Sequence, residues 1–208
     1  MKEAPPPAAL GQIEKRRSAY VVIARDSFLS NGFAGTTMSS IAQRAGGSKT
    51  TLWSYFPSKD LLFAAVVDDI VQVHAKALSV DLPLDLPVPE ILRRFGLALL
   101  DSIYSSEILS LHRLVAGEAD RFPHLAALFY ERGPARGKAR LANYLAAKMN
   151  DGALRQGDPA LAGRQFAGLC QGAQFHSVLF GMAEVPDHDA REAEVAAAVD
   201  SFHRAWAA

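Results

Sequence analysis

Gly46-Gly47 sits between two short stretches that both read as helices, and this tight junction constrains the fold more than any other feature of the chain. Before it, Thr36 or Thr37 can cap a helix through a side-chain oxygen, and Met38, Ile41, Ala42 and Ala45 then form its buried face. After it, Ser48 is placed to cap a second helix in which Leu52 and Phe56, four apart, point inward. Lys49, Thr50, Trp53 and Ser54 are left mostly outward. Upstream, Tyr20, Ile23, Ala24 and Phe28 make an apolar stripe at helical spacing. Asn31-Gly32 closes that helix, because glycine accepts the left-handed backbone needed after a last turn. Helices joined this tightly form a helix-turn-helix, which places its second motif helix in the major groove of DNA. A helix that exposes a Trp and a Tyr beside a Lys reads as a binding face.

Charge is distributed to match. The whole chain is neutral, with 22 Lys/Arg against 22 Asp/Glu. Residues 1–60 hold eight of the basic and four of the acidic residues, and residues 61–208 hold fourteen and eighteen. The basic part is the part with the motif, and phosphate binding depends on local charge more than on the total. At 208 residues, 50% of them hydrophobic, the chain suffices for one small domain and one ordinary one. No apolar run approaches the roughly 18 residues of a membrane span. Residues 1–10 carry three consecutive prolines and no secretion signal. A lone cysteine, Cys170, excludes an internal disulfide framework. A cytoplasmic protein without membrane partners is expected.

Residues 1–13 read as a disordered Pro/Ala-rich tail, and Glu14-Lys15-Arg16-Arg17 opens the first helix. That basic triplet either touches DNA or is simply solvated. A long helix is predicted over 59–79, with Leu62, Val66, Ile70, Val73 and Ala77 on its apolar face, and three prolines make 81–89 a loop. Further helices are predicted over 90–105, 107–120, 124–132, 135–150, 159–181 and 188–207, separated by Gly and Pro. No strand pattern and no fixed repeat appear, so the fold is all-α: a helix-turn-helix domain over 14–60, and a helical domain over 61–208 joined to it by the long helix. In the last two helices Leu161, Gln165, Gly168, Gly172, Phe175 and Leu179 share one face. Val195, Val199, Phe202 and Trp206 recur at i, i+4, i+7 and i+11. Such stripes fit a monomer core or a homodimer interface, and the glycines favour the interface by permitting a close partner helix.

The order of residues over 17–62 resembles the DNA-binding domain of TetR/AcrR-family transcriptional regulators. Leu114-Val115-Ala116-Gly117-Glu118-Ala119-Asp120-Arg121-Phe122-Pro123-His124-Leu125, with Phe129-Tyr130-Glu131-Arg132-Gly133-Pro134, is similar to the C-terminal domain of AefR-like members. The resemblance implies a homodimer pairing through its final two helices, a two-fold double-stranded DNA operator, and a small-molecule effector that releases a repressor. It places Thr37 and Ser48 as capping and phosphate-contacting hydroxyls and Lys49 and Thr50 at base edges. Thr51, Trp53 and Tyr55 fall at backbone or bases, and Lys59 at a phosphate. Gly47 stands where a Val is common, which removes packing between the motif helices, and Trp53 stands where a Tyr is usual. For the effector pocket, the inward faces of the C-terminal region offer Ile70, His74, Leu100, Tyr104, His112, Val115, Phe129, Phe166, Cys170 and His176.

Enzyme signatures are absent from the sequence: there is no His-Glu-x-x-His, no phosphate-binding glycine loop and no Gly-x-Ser-x-Gly. His74, His112, His176 and Cys170 lie at no metal-ligand spacing, so neither metal nor cofactor is expected. The competing reading is a helical interaction module or ligand sensor without DNA binding. Lys49, Thr50, Trp53, Tyr55 and Lys59 argue against it.

Overall fold

The computed structural model describes residues 7–208 other than Ala173, with side chains from Gly11 onward. Among the described residues every extended element is a helix, as the all-α reading expects. The chain divides into two compact units. One holds the residues up to Asp69 together with Leu114–Phe129, and the other holds Ile70–Arg113 and Tyr130–Ala208.

The first unit contains α1 (Pro7–Gly35), α2 (Met38–Arg44), α3 (Lys49–Tyr55) and the start of α4 (Lys59–His74). It also takes in the end of α6 (Ser106–Glu118) and the start of α7 (Pro123–Arg132). Tyr20, Phe28, Phe33, Ile41, Leu52 and Phe63 fill its core. The helix begins earlier than the charged tetrad suggests: residues 7–13 of the expected tail belong to α1, and residues 1–6 lie outside the described residues. Gly32, with φ +75 and ψ 170, bends α1 rather than ending it.

The second unit holds the rest of α4, a 3-10 turn (Lys76–Leu78), α5 (Val88–Ile103), α8 (Pro134–Asn150), α9 (Pro159–Gln171), α10 (Gln174–Leu179) and α11 (His188–Trp206). α4 stops at His74, short of the predicted 79. The helix predicted over 159–181 is divided at Gly172, whose φ is +49. That positive φ is one that side chains rarely adopt, so the backbone there calls for glycine.

One expectation needs correcting. Val195, Val199, Phe202 and Trp206 are buried within a single copy of the chain, as is Phe175. Phe202 meets Phe166 edge-on at 5.5 Å and stacks on Trp206 at 6.1 Å. The Trp206 indole N–H donates to Gln165 Oε1 at 2.9 Å, and the Arg155 guanidinium lies 4.1 Å over its ring. Their stripe is taken by α5 and α9 and is not free for a partner. Gly168 and Gly172 are exposed, and Leu179 is half-buried.

Candidate nucleic-acid interface

Both motif helices start on side-chain caps. Thr37 Oγ1 accepts the Ser40 N–H at 3.1 Å, and the Thr37 N–H donates to Ser40 Oγ, closing a capping box. Ser48 Oγ accepts the Thr51 N–H at 3.1 Å and lies 2.8 Å from Thr51 Oγ1. Between them Gly46 adopts φ +62, and the Gly47 N–H donates to Ala42 O at 3.0 Å. Leu52 is fully buried and anchors α3, and Tyr55, half-buried, packs against Tyr20 with ring centroids 5.8 Å apart.

This anchoring decides what α3 presents. Lys49, Thr50, Trp53 and Ser54 are exposed. Most hydroxyls of the motif are already committed: Thr37 to Ser40, Ser48 to Thr51, and Ser54, whose Oγ donates to Thr51 O at 2.7 Å. The side chains of Lys49, Thr50 and Trp53 hold no hydrogen bond or ion pair among the described residues. The indole of Trp53 is 46% exposed, unusual for so large an apolar ring on a folded surface. A cation, a hydroxyl with its methyl and an aromatic N–H therefore project from one short helix, which is donor chemistry suited to base edges and phosphates.

Lys59 behaves differently. Its ammonium donates to Phe33 O at 2.8 Å and Thr36 O at 3.0 Å and sits 4.2 Å over the Phe33 ring. Burial holds its pKa below the ordinary lysine value, with Asp60 and Glu118 pulling it back up. Arg17 lies 5.1 Å over the Phe56 ring.

The effector candidates are divided. Val115 and Phe129 are buried in the first unit, and the other eight belong to the second. Leu100, Tyr104, Phe166 and Cys170 are part of one packed core. Ile70 is buried, and His74 pairs with Glu107 at 3.6 Å. His176 is exposed, contrary to its expected inward face. Tyr104 and His112 do come together, each against Phe175, at 6.2 and 5.7 Å. His112 Nδ1 lies 2.9 Å from Ile108 O, and burial lowers the imidazole pKa, favouring the neutral ring. Burial raises the Tyr104 phenol, with Glu194 adding to the effect. Sequence reasoning missed Phe175 as a neighbour of these groups, because its spacing from Leu179 fitted the presumed dimer stripe. Among the described residues no His/Cys/Asp/Glu group is arranged to hold a metal, and no helix is long and apolar enough to cross a membrane.

Comparison with known proteins agrees with this geometry. Residues 22–66 match the family of bacterial regulatory proteins named for tetR, and residues 90–208 match the AefR-like transcriptional repressor C-terminal domain. The HTH-type transcriptional regulator RutR of Escherichia coli strain K12 is 41% identical over 67 residues. That stretch is 32% of each protein, so the chain spans about a third of the curated relatives it matches. The solved structure of the flavonoid-responsive regulator FrrA is 33% identical with a TM-score of 0.81, covering 93% of this chain and 98% of FrrA. A TetR-family regulator from Mesorhizobium loti is 26% identical with a TM-score of 0.80, covering 94% and 98%.

Proposed function

Because this chain belongs to the tetR family of bacterial regulatory proteins, we propose that it is a repressor that reads a two-fold operator as a homodimer and leaves it when a small, mostly apolar molecule binds. The family consists of transcriptional regulators rather than enzymes. The observation that carries the DNA reading is the outward face of α3, where Lys49, Thr50 and Trp53 are exposed while the neighbouring hydroxyls are committed to caps. A helix of this length reads few bases, so two copies related by a two-fold axis supply the specificity one lacks.

For the dimer, α9 exposes Leu161, Gly168 and Leu169, and α11, which packs on α9, exposes the small residues Ala197, Ser201 and Ala205. This is the opposite side of α11 from its buried stripe. The effector reading is supported by the aromatic grouping of Tyr104, His112 and Phe175, which offers ring faces with a phenol and a neutral imidazole. FrrA is flavonoid-responsive by name, and a planar phenolic molecule suits such a grouping. Release requires the effector to prefer the non-binding state: shifting a population from about 99:1 to 1:99 takes roughly 5.5 kcal/mol.

Selection of duplexes from a randomised pool, followed by titration with a flavonoid series, tests the whole reading. The expected result is an enriched palindrome released by at least one flavonoid, with His112→Ala still binding the palindrome but no longer released. Enrichment of no sequence removes the DNA reading. Release that is unchanged in His112→Ala moves the effector site elsewhere.

A further inference from the structure

Helix α1 leaves helical geometry at Gly32, so the amides that follow turn out of its hydrogen-bond ladder. A backbone donor without a partner is costly when shielded from water. The Ala34 N–H finds its acceptor across 84 residues of sequence, donating to Glu118 Oε1 at 2.8 Å. Glu118 is the last residue of α6, at the negative end of that helix, where a carboxylate is disfavoured. The Ala34 amide and the nearby Lys59 ammonium offset that penalty.

Lys59, the first residue of α4, grips the same turn. It donates to the carbonyls of Phe33 and Thr36 and covers the Phe33 ring. The Phe33 ring in turn meets Phe122 at 4.9 Å. Two residues beyond Phe33-Ala34 come Thr36, whose hydroxyl ties back to Ser27 O and Gly32 O, and then Thr37, the cap of α2. The gripped turn is the one that launches the helix-turn-helix.

We propose that Glu118 and Lys59 form a charged clasp on Phe33-Ala34 that positions the helix-turn-helix for DNA, and that Lys59 acts by this route and not by holding a phosphate. The clasp rests on the DNA reading above. Glu118 touches no DNA-facing residue and lies in the stretch that matches the C-terminal domain, yet it is packed in the unit that carries α3.

The test uses the full chain and a duplex that the wild type selects from a random pool. Affinity is measured for Glu118→Ala, Glu118→Gln and Lys59→Met across a salt series, and exchange of the Ala34 amide is followed by NMR. Glu118→Ala is expected to bind about tenfold more weakly and to lose Ala34 protection, while Glu118→Gln, which keeps an acceptor, stays within about twofold. Lys59→Met is expected to weaken binding about tenfold at every salt concentration with the slope of log K against log salt unchanged. Loss of a phosphate contact would instead reduce that slope by about one. Such a reduction overturns the assignment of Lys59. A Glu118→Ala protein that binds as tightly as wild type overturns the clasp while leaving the DNA reading intact. A wild type that selects no sequence removes both. Should Glu118→Ala fail to fold, Glu118→Gln and Lys59→Met carry the test: equal affinity for wild type and Lys59→Met overturns it.

Discussion

The phenolic oxygen of Tyr20 lies against Gly47, in the space where any other side chain at that position would begin. The hydroxyl is buried and has no hydrogen-bond partner among the described residues. The glycine that stands where the family commonly has a Val therefore leaves no hole. α1 supplies from below the volume that a branched side chain would supply from the turn. Tyr20 and Gly47 are one packing solution split between two positions.

Gly47→Ala should then destabilise the protein by about 1–3 kcal/mol through overpacking. In a Tyr20→Phe background most of that loss should vanish, since the nearest atom left to the new Cβ is a ring carbon at 3.4 Å, an ordinary contact. Tyr20→Phe alone should be near neutral, because it deletes a hydroxyl that has no partner. Urea denaturation of the four proteins closes the double-mutant cycle. Additive effects would show that the two residues do not share this space.

The chain has two tryptophans in opposite surroundings, Trp53 46% exposed and Trp206 3% exposed. Addition of a selected duplex should change the emission of the exposed one alone. Trp206→Phe should keep the change and Trp53→Phe should abolish it. A signal that survives in Trp53→Phe would place the contact away from α3.

Lys49→Ala should cost about 1–3 kcal/mol of binding and relax selection at one base pair per half-site, as expected for a lysine at a guanine edge. Repeating the duplex selection with the variant checks this directly. An unchanged consensus would confine Lys49 to the phosphates.

Stability should fall in alkali. Burial pushes the Cys170 thiol up to about 12 from an ordinary 9.0, and the Tyr144 phenol up to about 12 from 10.0. Both groups favour their neutral form in the folded protein, so their contribution is complete below about pH 9. It is lost as pH rises between the unfolded values and the folded ones. The urea midpoint should decline over that window, and Cys170→Ala should remove the earlier part of the decline. A flat midpoint from pH 8 to 10.5 in the wild type would contradict the assignment.

Leu169→Arg should convert the proposed dimer to monomer at micromolar concentration with the helical fold retained, as read by light scattering and circular dichroism. Val199→Arg should instead unfold the protein, because Val199 lies in the core of a single copy. A dimer that persists in Leu169→Arg moves the interface off this face.

What the sequence made legible was local. Thr37 and Ser48 cap the helices they precede, and a cap is recognisable because donor and acceptor are three residues apart. The inward placement of Leu52 follows from helical spacing in the same way. Spacing says that one face of a helix is buried, but not what buries it. That is why Val195, Phe202 and Trp206 fit a partner helix as well as α5 and α9. The division of α9 from α10 rests on the positive φ of Gly172, and the role of Lys59 on a glutamate 59 residues further along. Neither feature leaves a trace in periodicity.

Because Leu114–Phe129 is built into the first unit, the DNA-reading part of this protein is not a cassette that can be cut out and moved. A chimera joining residues 11–69 to a foreign sensor domain would arrive without Glu118 to receive the Ala34 amide and without Phe122 against Phe33. The recipient would have to supply an equivalent corner, or the donor's own would have to travel with it. The same dependence ties drift in the two segments together: a change at Phe33 or Gly32 is tolerated only as far as residues 118–124 can follow.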